Sequence, residues 1–125
     1  MDDVSQPVQM VKVYWKPTCQ TCRRVVKALE EKGVTIELYD LTKSPPSKEL
    51  LKSLAARYGI HNLLRKRSKY YDSKRFKDKS EDELIEMMAT NTDLIRRPIL
   101  VVDGRPLLGD DKVVLGGIRP ESGRD

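Results

Sequence analysis

The sequence predicts a mixed α/β fold: a four-stranded sheet with parallel and antiparallel strands, helices on its faces, and a helical insertion between a β-α-β half and a β-β-α half. Three observations lead there. The chain opens with a strand pattern, a helical pattern and a second strand pattern. It closes with a strand, an Asp-Gly turn and a returning strand. Between these halves lie only helical and loop patterns.

The first strand is expected at residues 10–15, where Val11 and Val13 alternate with Lys12 and Tyr14. Lys16-Pro17-Thr18 ends it. A helix follows over 19–32, because Cys22, Val25, Val26 and Leu29 recur at the spacing of one helical face. Gly33 supplies the stop. Residues 34–39 read as the second strand, with Ile36 and Leu38 on one face. A β-α-β start requires a parallel pair with a right-handed crossover.

After Pro45-Pro46, Ser47 is placed to cap a helix running to Tyr58, with Leu51, Leu54, Ala55 and Tyr58 as its apolar stripe. Gly59 closes it. Ile60, Leu63 and Leu64 suggest another short helix, and 66–79 reads as loop with a helical turn. Ser80-Glu81-Asp82-Glu83 is a capping box that starts a helix to Thr90. Residues 99–103 form a strand, Asp103-Gly104 a tight turn, and 106–108 the returning strand. Residues 110–117 make a last short helix. This order of elements is the thioredoxin-type architecture.

With 125 residues and 14.4 kDa, the chain has material for one core. One domain is expected over 10–118, with a short extension at 1–9 and a tail at 119–125. Charged residues make up 34% and hydrophobic ones 38%, enough of each for a solvated surface and a packed interior. The net charge of +5 is uneven: residues 61–80 hold eight Lys/Arg against two Asp, a net of +6. The plain reading of that run is a solvated face. Contact with an acidic partner, an oxyanion or nucleic acid is the alternative, with no sequence-specific nucleic-acid recognition expected. No apolar run is long enough for a membrane span, and residues 1–10 carry no signal-peptide pattern. A cytoplasmic protein is therefore expected, and a monomer, since nothing in the sequence suggests an obligate dimer. Two cysteines exclude a multi-disulfide framework. The single histidine, His61, excludes mechanisms that need two.

Cys19-Gln20-Thr21-Cys22 falls between the first strand and the first helix. A cysteine at a helix N-terminus meets free backbone N–H groups and the positive end of the helix dipole, which favour a thiolate. Lys16, Arg23 and Arg24 add nearby positive charge. The thiolate is the nucleophile of disulfide exchange, so Cys19 is the expected attacking group. Cys22 lies one turn on, within bonding reach, and can resolve a mixed disulfide. Two ordinary core cysteines are the plain alternative. No metal site is expected, because one C-x-x-C and one histidine cannot fill a four-ligand zinc site within a monomer; a site shared across a dimer is the alternative. His61 reads as structural or exposed, and Trp15 as core or pocket wall.

Four motifs occur in order: Cys19-Gln20-Thr21-Cys22-Arg23-Arg24, Pro45-Pro46-Ser47, Leu63-Leu64-Arg65-Lys66-Arg67-Ser68-Lys69, and Leu94-Ile95-Arg96-Arg97-Pro98-Ile99. Together they resemble the ArsC/Spx family, the glutaredoxin-type arsenate reductases and their Spx-like relatives. The resemblance spans residues 11–115. It implies a thioredoxin-like fold with a helical insertion, Cys19 as nucleophile, and Pro98 as a cis-proline facing it. It matches Arg97 to the arginine before that proline. Arg65 matches the reductases' L-L-R-K arginine, and Arg67 the R-S-K arginine of Spx. Guanidinium groups suit a tetrahedral oxyanion such as arsenate and lower a neighbouring thiol's pKa.

Family reductases generally carry C-x-x-S, so Cys22 is a departure that supplies an internal resolving thiol. Gly109 stands where those enzymes place a third anion-binding arginine. The leading expectation is a thiol–disulfide oxidoreductase with no bound cofactor, served by a thiol reductant such as glutathione, glutaredoxin or thioredoxin. The alternatives are an Spx-like redox-sensing regulator that binds the RNA polymerase α-subunit, and an arsenate reductase in the strict sense.

Overall fold

The computed structural model describes residues 10–118. The extension 1–9 and the tail 119–125 expected from the sequence lie outside the described residues. The chain divides into two compact units. Of the described residues, one unit takes 10–40 and 97–118, the other Leu41–Arg96. Among the described residues, no helix is long and apolar enough to cross a membrane.

The first unit holds the sheet. Strands β1 (Met10–Trp15), β2 (Thr35–Asp40), β3 (Ile99–Val102) and β4 (Arg105–Leu108) lie in the order β2-β1-β3-β4. β1 runs parallel to β2 and antiparallel to β3, and β3 antiparallel to β4. This is the mixed sheet of a thioredoxin-like fold. Helix α1 (Gln20–Glu31) provides the crossover between β1 and β2. It buries Cys22, Val25, Val26 and Leu29, the face expected from their spacing. Val25, Val26 and Leu29 share a core with Val11 and Val13 of β1 and with Leu100, Val102 and Leu107 of the hairpin. Lys32, the C-cap of α1, donates from its side chain to the Ile118 carbonyl at 2.9 Å, just beyond helix α6 (Lys112–Gly117).

β2 begins one residue later than expected, and Leu38 is 42% exposed. Leu38 pairs with buried Val13, but β2 is an edge strand with a neighbour on one side only. β3 ends at Val102, one residue early, because Asp103 (φ 52°) and Gly104 (φ 80°) both adopt the left-handed region. Two successive positive φ values are what a two-residue hairpin turn of primed type requires.

The second unit is helical: α2 (Lys48–Tyr58), α3 (Ile60–Leu63), α4 (Ser73–Phe76) and α5 (Glu81–Thr90). Ser47 caps α2 by accepting the Leu50 N–H, and Gly59 ends it at φ 91°. The Ser80–Glu83 capping box starts α5 in both of its hydrogen bonds. Leu64 leaves the expected short helix to form a bridge with Ile95. Its neighbours are tied the same way: the Arg65 N–H donates to Leu94 O and the Arg96 N–H to Leu63 O.

Candidate functional site

Cys19 is the N-cap of α1, in an extended conformation, rather than its first helical residue. Its N–H donates to the Lys16 carbonyl at 2.9 Å, which closes the turn after β1. Its sulfur accepts the Cys22 backbone N–H at 3.4 Å. The sulfur thus takes the part a serine or aspartate oxygen usually plays at a helix start. An anion there answers both the unpaired N–H groups and the helix dipole.

The environment splits the two thiols. Partial burial alone pushes the Cys19 thiol up, but it is outweighed. The Cys22 N–H, the Cys22 thiol, the Thr21 N–H and the positive charge of Arg97 all favour the Cys19 thiolate, and hold it below the ordinary thiol value of 9.0. Burial pushes Cys22 up to about 12. The Lys16 N–H opposes that rise, Cys19 adds to it by accepting the Cys22 S–H and by its charge, and Arg97 opposes it again. Cys22 is 0% exposed while Cys19 is half-buried, and no disulfide joins them. One sulfur is accessible and acidic, the other enclosed and protonated.

Arg97 is 7% exposed and follows the second unit directly in sequence. The Arg97–Pro98 peptide is cis, and Pro98 is buried. Gly109 holds this corner from the side. Its N–H donates to the Pro98 carbonyl at 2.8 Å, and a Cβ on it would meet Pro98 Cγ at 2.8 Å and Leu100 Cγ at 3.0 Å. The position where a family arginine was expected is therefore a buried close approach, open only to glycine.

The basic residues expected beside Cys19 act differently from their sequence proximity. Lys16 contributes a backbone N–H, directed at Cys22. Arg23 and Arg24 are exposed, because they follow Cys22 on the opposite, solvent side of α1. The cation acting on the thiolate is Arg97. In the second unit, Arg65 Nη1 pairs with Asp93 Oδ2 at 3.2 Å and donates to the Asp93 carbonyl at 3.3 Å. Asp93 also accepts from the hydroxyl of buried Ser68. Arg67 is exposed and makes no ion pair or hydrogen bond among the described residues. His61 is exposed, and Trp15 is half-buried against the core of the first unit. Among the described residues, no three His, Cys, Asp or Glu side chains gather as a metal site.

The backbone N–H groups of Thr21, Cys22 and Lys16 are functional groups that residue types do not announce. The helix-start position of Cys19 signalled those of Thr21 and Cys22, whereas that of Lys16, in the turn after β1, had no signal. Gly109 was visible as a departure from a motif, and its packing against Pro98 was not.

The family model described as "ArsC family" matches residues 14–116. The chain belongs to the ArsC family. Its similarity extends to the Uncharacterized protein YusI of Bacillus subtilis, 38% identical over 82% of this chain and 86% of that one. An arsenate reductase of Escherichia coli is 35% identical over 84% of this chain and 78% of its own length. The global transcriptional regulator Spx of Streptococcus mutans is 31% identical over 80% and 76%. Among solved structures, an arsenate reductase from Vibrio cholerae matches with a TM-score of 0.76 at 28% identity, covering 89% of this chain and 98% of that one. The ArsC family thus includes both enzymes and regulators among this chain's relatives.

Proposed function

We propose that this ArsC-family chain is a thiol–disulfide oxidoreductase, acting as one domain over residues 10–118 in the cytoplasm, with Cys19 as nucleophile and Cys22 as resolving thiol. The supporting observation is the Cys19 sulfur at the start of α1, accepting the Cys22 N–H at 3.4 Å with the Cys22 thiol beside it.

The Cys19 thiolate attacks one sulfur of a substrate disulfide. The substrate S–S bond breaks, and the departing thiolate takes a proton from water. Cys19 is then held in a mixed disulfide and carries no charge. Two of the causes that keep Cys22 protonated, the Cys19 charge and its acceptance of the Cys22 S–H, vanish at that moment. The Lys16 N–H and Arg97 remain to favour the Cys22 thiolate. Cys22 releases its proton to water, attacks the Cys19 sulfur and expels the second substrate thiol. One substrate disulfide becomes two thiols, and the two protein thiols become a disulfide. A thiol reductant such as glutathione, glutaredoxin or thioredoxin then reduces that disulfide.

Arg97 would also attract an anionic substrate or reductant toward Cys19. Arg65 and Arg67 enter the proposal as anion-binding side chains on their motifs alone. Treatment with oxidised glutathione followed by peptide mass spectrometry tests the reading. A Cys19–Cys22 disulfide and a transient glutathione adduct on Cys19 are expected. A protein that forms neither, with Cys19 no more acidic than a free cysteine, defeats it.

A second reading is favoured by the Spx relative and by the pair of thiols. The same disulfide would switch binding to the RNA polymerase α-subunit. Redox-dependent capture of that subunit distinguishes a regulator from an enzyme. A strict arsenate reductase would instead show thiol-coupled arsenate reduction abolished in Cys19→Ser.

A further inference from the structure

We propose that the cavity beside α5 in the Leu41–Arg96 unit is a docking site for an acidic segment of a partner protein, which inserts one bulky apolar side chain. The cavity is about 340 Å³ and lies wholly within this unit. That is the small end of the range for ligand pockets. Phe76 and Leu94 are its buried lining, Met87 is half-buried, and Tyr70 is 49% exposed on its rim. A large aromatic left half in water beside an adaptable methionine is the composition of an anchor pocket.

Charge selects the occupant. The cavity wall comes partly from residues 61–80, the segment with a net charge of +6. Of its two aspartates, Asp72 is used locally, capping the Lys74 and Arg75 N–H groups. Glu86, the acidic side chain of the lining, is paired with Lys48. Two cations sit over aromatic rings of the lining: Arg75, itself a lining residue, lies 5.9 Å from the Phe76 centroid, and Lys69 Nζ lies 5.2 Å from that of Tyr70. Neither cation has a carboxylate partner among the described residues. A segment with an apolar side chain flanked by carboxylates would satisfy the cavity and both cations together.

Two other occupants fit less well. Single-stranded nucleic acid needs open aromatic faces on which bases stack. Here Phe76 is buried, Tyr71 meets it edge-on, and Tyr70 carries a lysine over its ring. A second copy of the chain would bring the same excess of positive charge. Its acidic run Glu81-Asp82-Glu83 is followed by Leu84 and Ile85, which are buried.

The test is an NMR titration of the full chain with the synthetic peptide acetyl-Glu-Asp-Phe-Glu-Asp-amide, its Ser-for-Phe version, and a short oligouridylate. The Phe peptide is expected to move the signals of Met87, Thr90 and Leu94. It should bind about tenfold tighter than the Ser version, and about tenfold weaker to Tyr70→Ala. Thr90→Trp, placed at the cavity edge, should block the same shifts while the rest of the spectrum is kept. Equal binding of the Phe and Ser peptides would overturn the anchor. Tighter binding of oligouridylate at the same residues, or no shift with millimolar peptide, would overturn the partner class.

Discussion

Gly109→Ala adds one methyl group where the structure leaves no room for it. The new Cβ would lie 2.8 Å from Pro98 Cγ, 3.0 Å from Leu100 Cγ and 3.2 Å from Leu100 Cδ2. Neither neighbour can yield cheaply. The proline ring is rigid, and Leu100 is fully buried in the sheet core. The Gly109 N–H bond to the Pro98 carbonyl, at 2.8 Å, fixes the two backbones at this separation. Overpacking of this kind costs about 1–3 kcal/mol. For a chain of this size that corresponds to a fall of roughly 5–15 °C in melting temperature. Gly109 has no positive φ, so the cost is steric alone.

Gly116 in α6 is the internal control. A Cβ there meets nothing within 4 Å, and a helical Gly→Ala change should be neutral or stabilise by up to about 1 kcal/mol. Scanning calorimetry and urea unfolding of both variants supply the comparison. Because Arg97 precedes Pro98, Gly109→Ala should also slow alkylation of Cys19 at neutral pH. If Gly109→Ala melts with the wild type, or the two glycine variants behave alike, the packing argument is wrong.

Cys22→Ser should leave Cys19 open to iodoacetamide but trap a stable glutathione adduct on it, visible by intact mass. Rapid release of that adduct would deny Cys22 its resolving role. The raised Cys22 value has a consequence for stability. Between the ordinary thiol value of 9.0 and about 12, the folded protein keeps a proton that the unfolded chain has lost. Stability should therefore fall as pH rises through that window, and the fall should be smaller in Cys22→Ala, measured by urea unfolding. Ser80→Ala removes the 3.1 Å bond from the Glu83 N–H to the Ser80 hydroxyl and leaves the 2.8 Å bond from the Ser80 N–H to the Glu83 carboxylate. It should cost about 1 kcal/mol, and an unchanged unfolding midpoint would show that the cap contributes nothing.

Local signals carried much of the fold. Val11 and Val13 against Lys12, the Cys22–Leu29 stripe, the Ser47 and Ser80 caps and the Asp103-Gly104 turn are short-range patterns, and each appears in the structure where its chemistry places it. Strand ends shifted by a residue because pairing partners, not propensity, decide them. The 42% exposure of Leu38 follows from the edge position of β2, a property of the sheet order that no local pattern shows. At the site, C-x-x-C at a strand-to-helix junction marked both sulfurs. Arg97 as the cation acting on Cys19 was suggested by a motif, while proximity in sequence pointed to Arg23 and Arg24. Long-range electrostatics depends on which distant segment the fold returns to α1. The Arg65–Asp93–Ser68 linkage was hidden for the same reason, since its members lie far apart in the chain.

The most direct measurement is the pH dependence of Cys19 alkylation in the wild type, with the modified residue identified by peptide mapping. Cys19 should react first, with a midpoint below 9.0, and Cys22 should stay unmodified until strongly alkaline pH. Equal labelling of the two cysteines, or a Cys19 midpoint at or above 9.0, would mean that the helix start does not hold a thiolate.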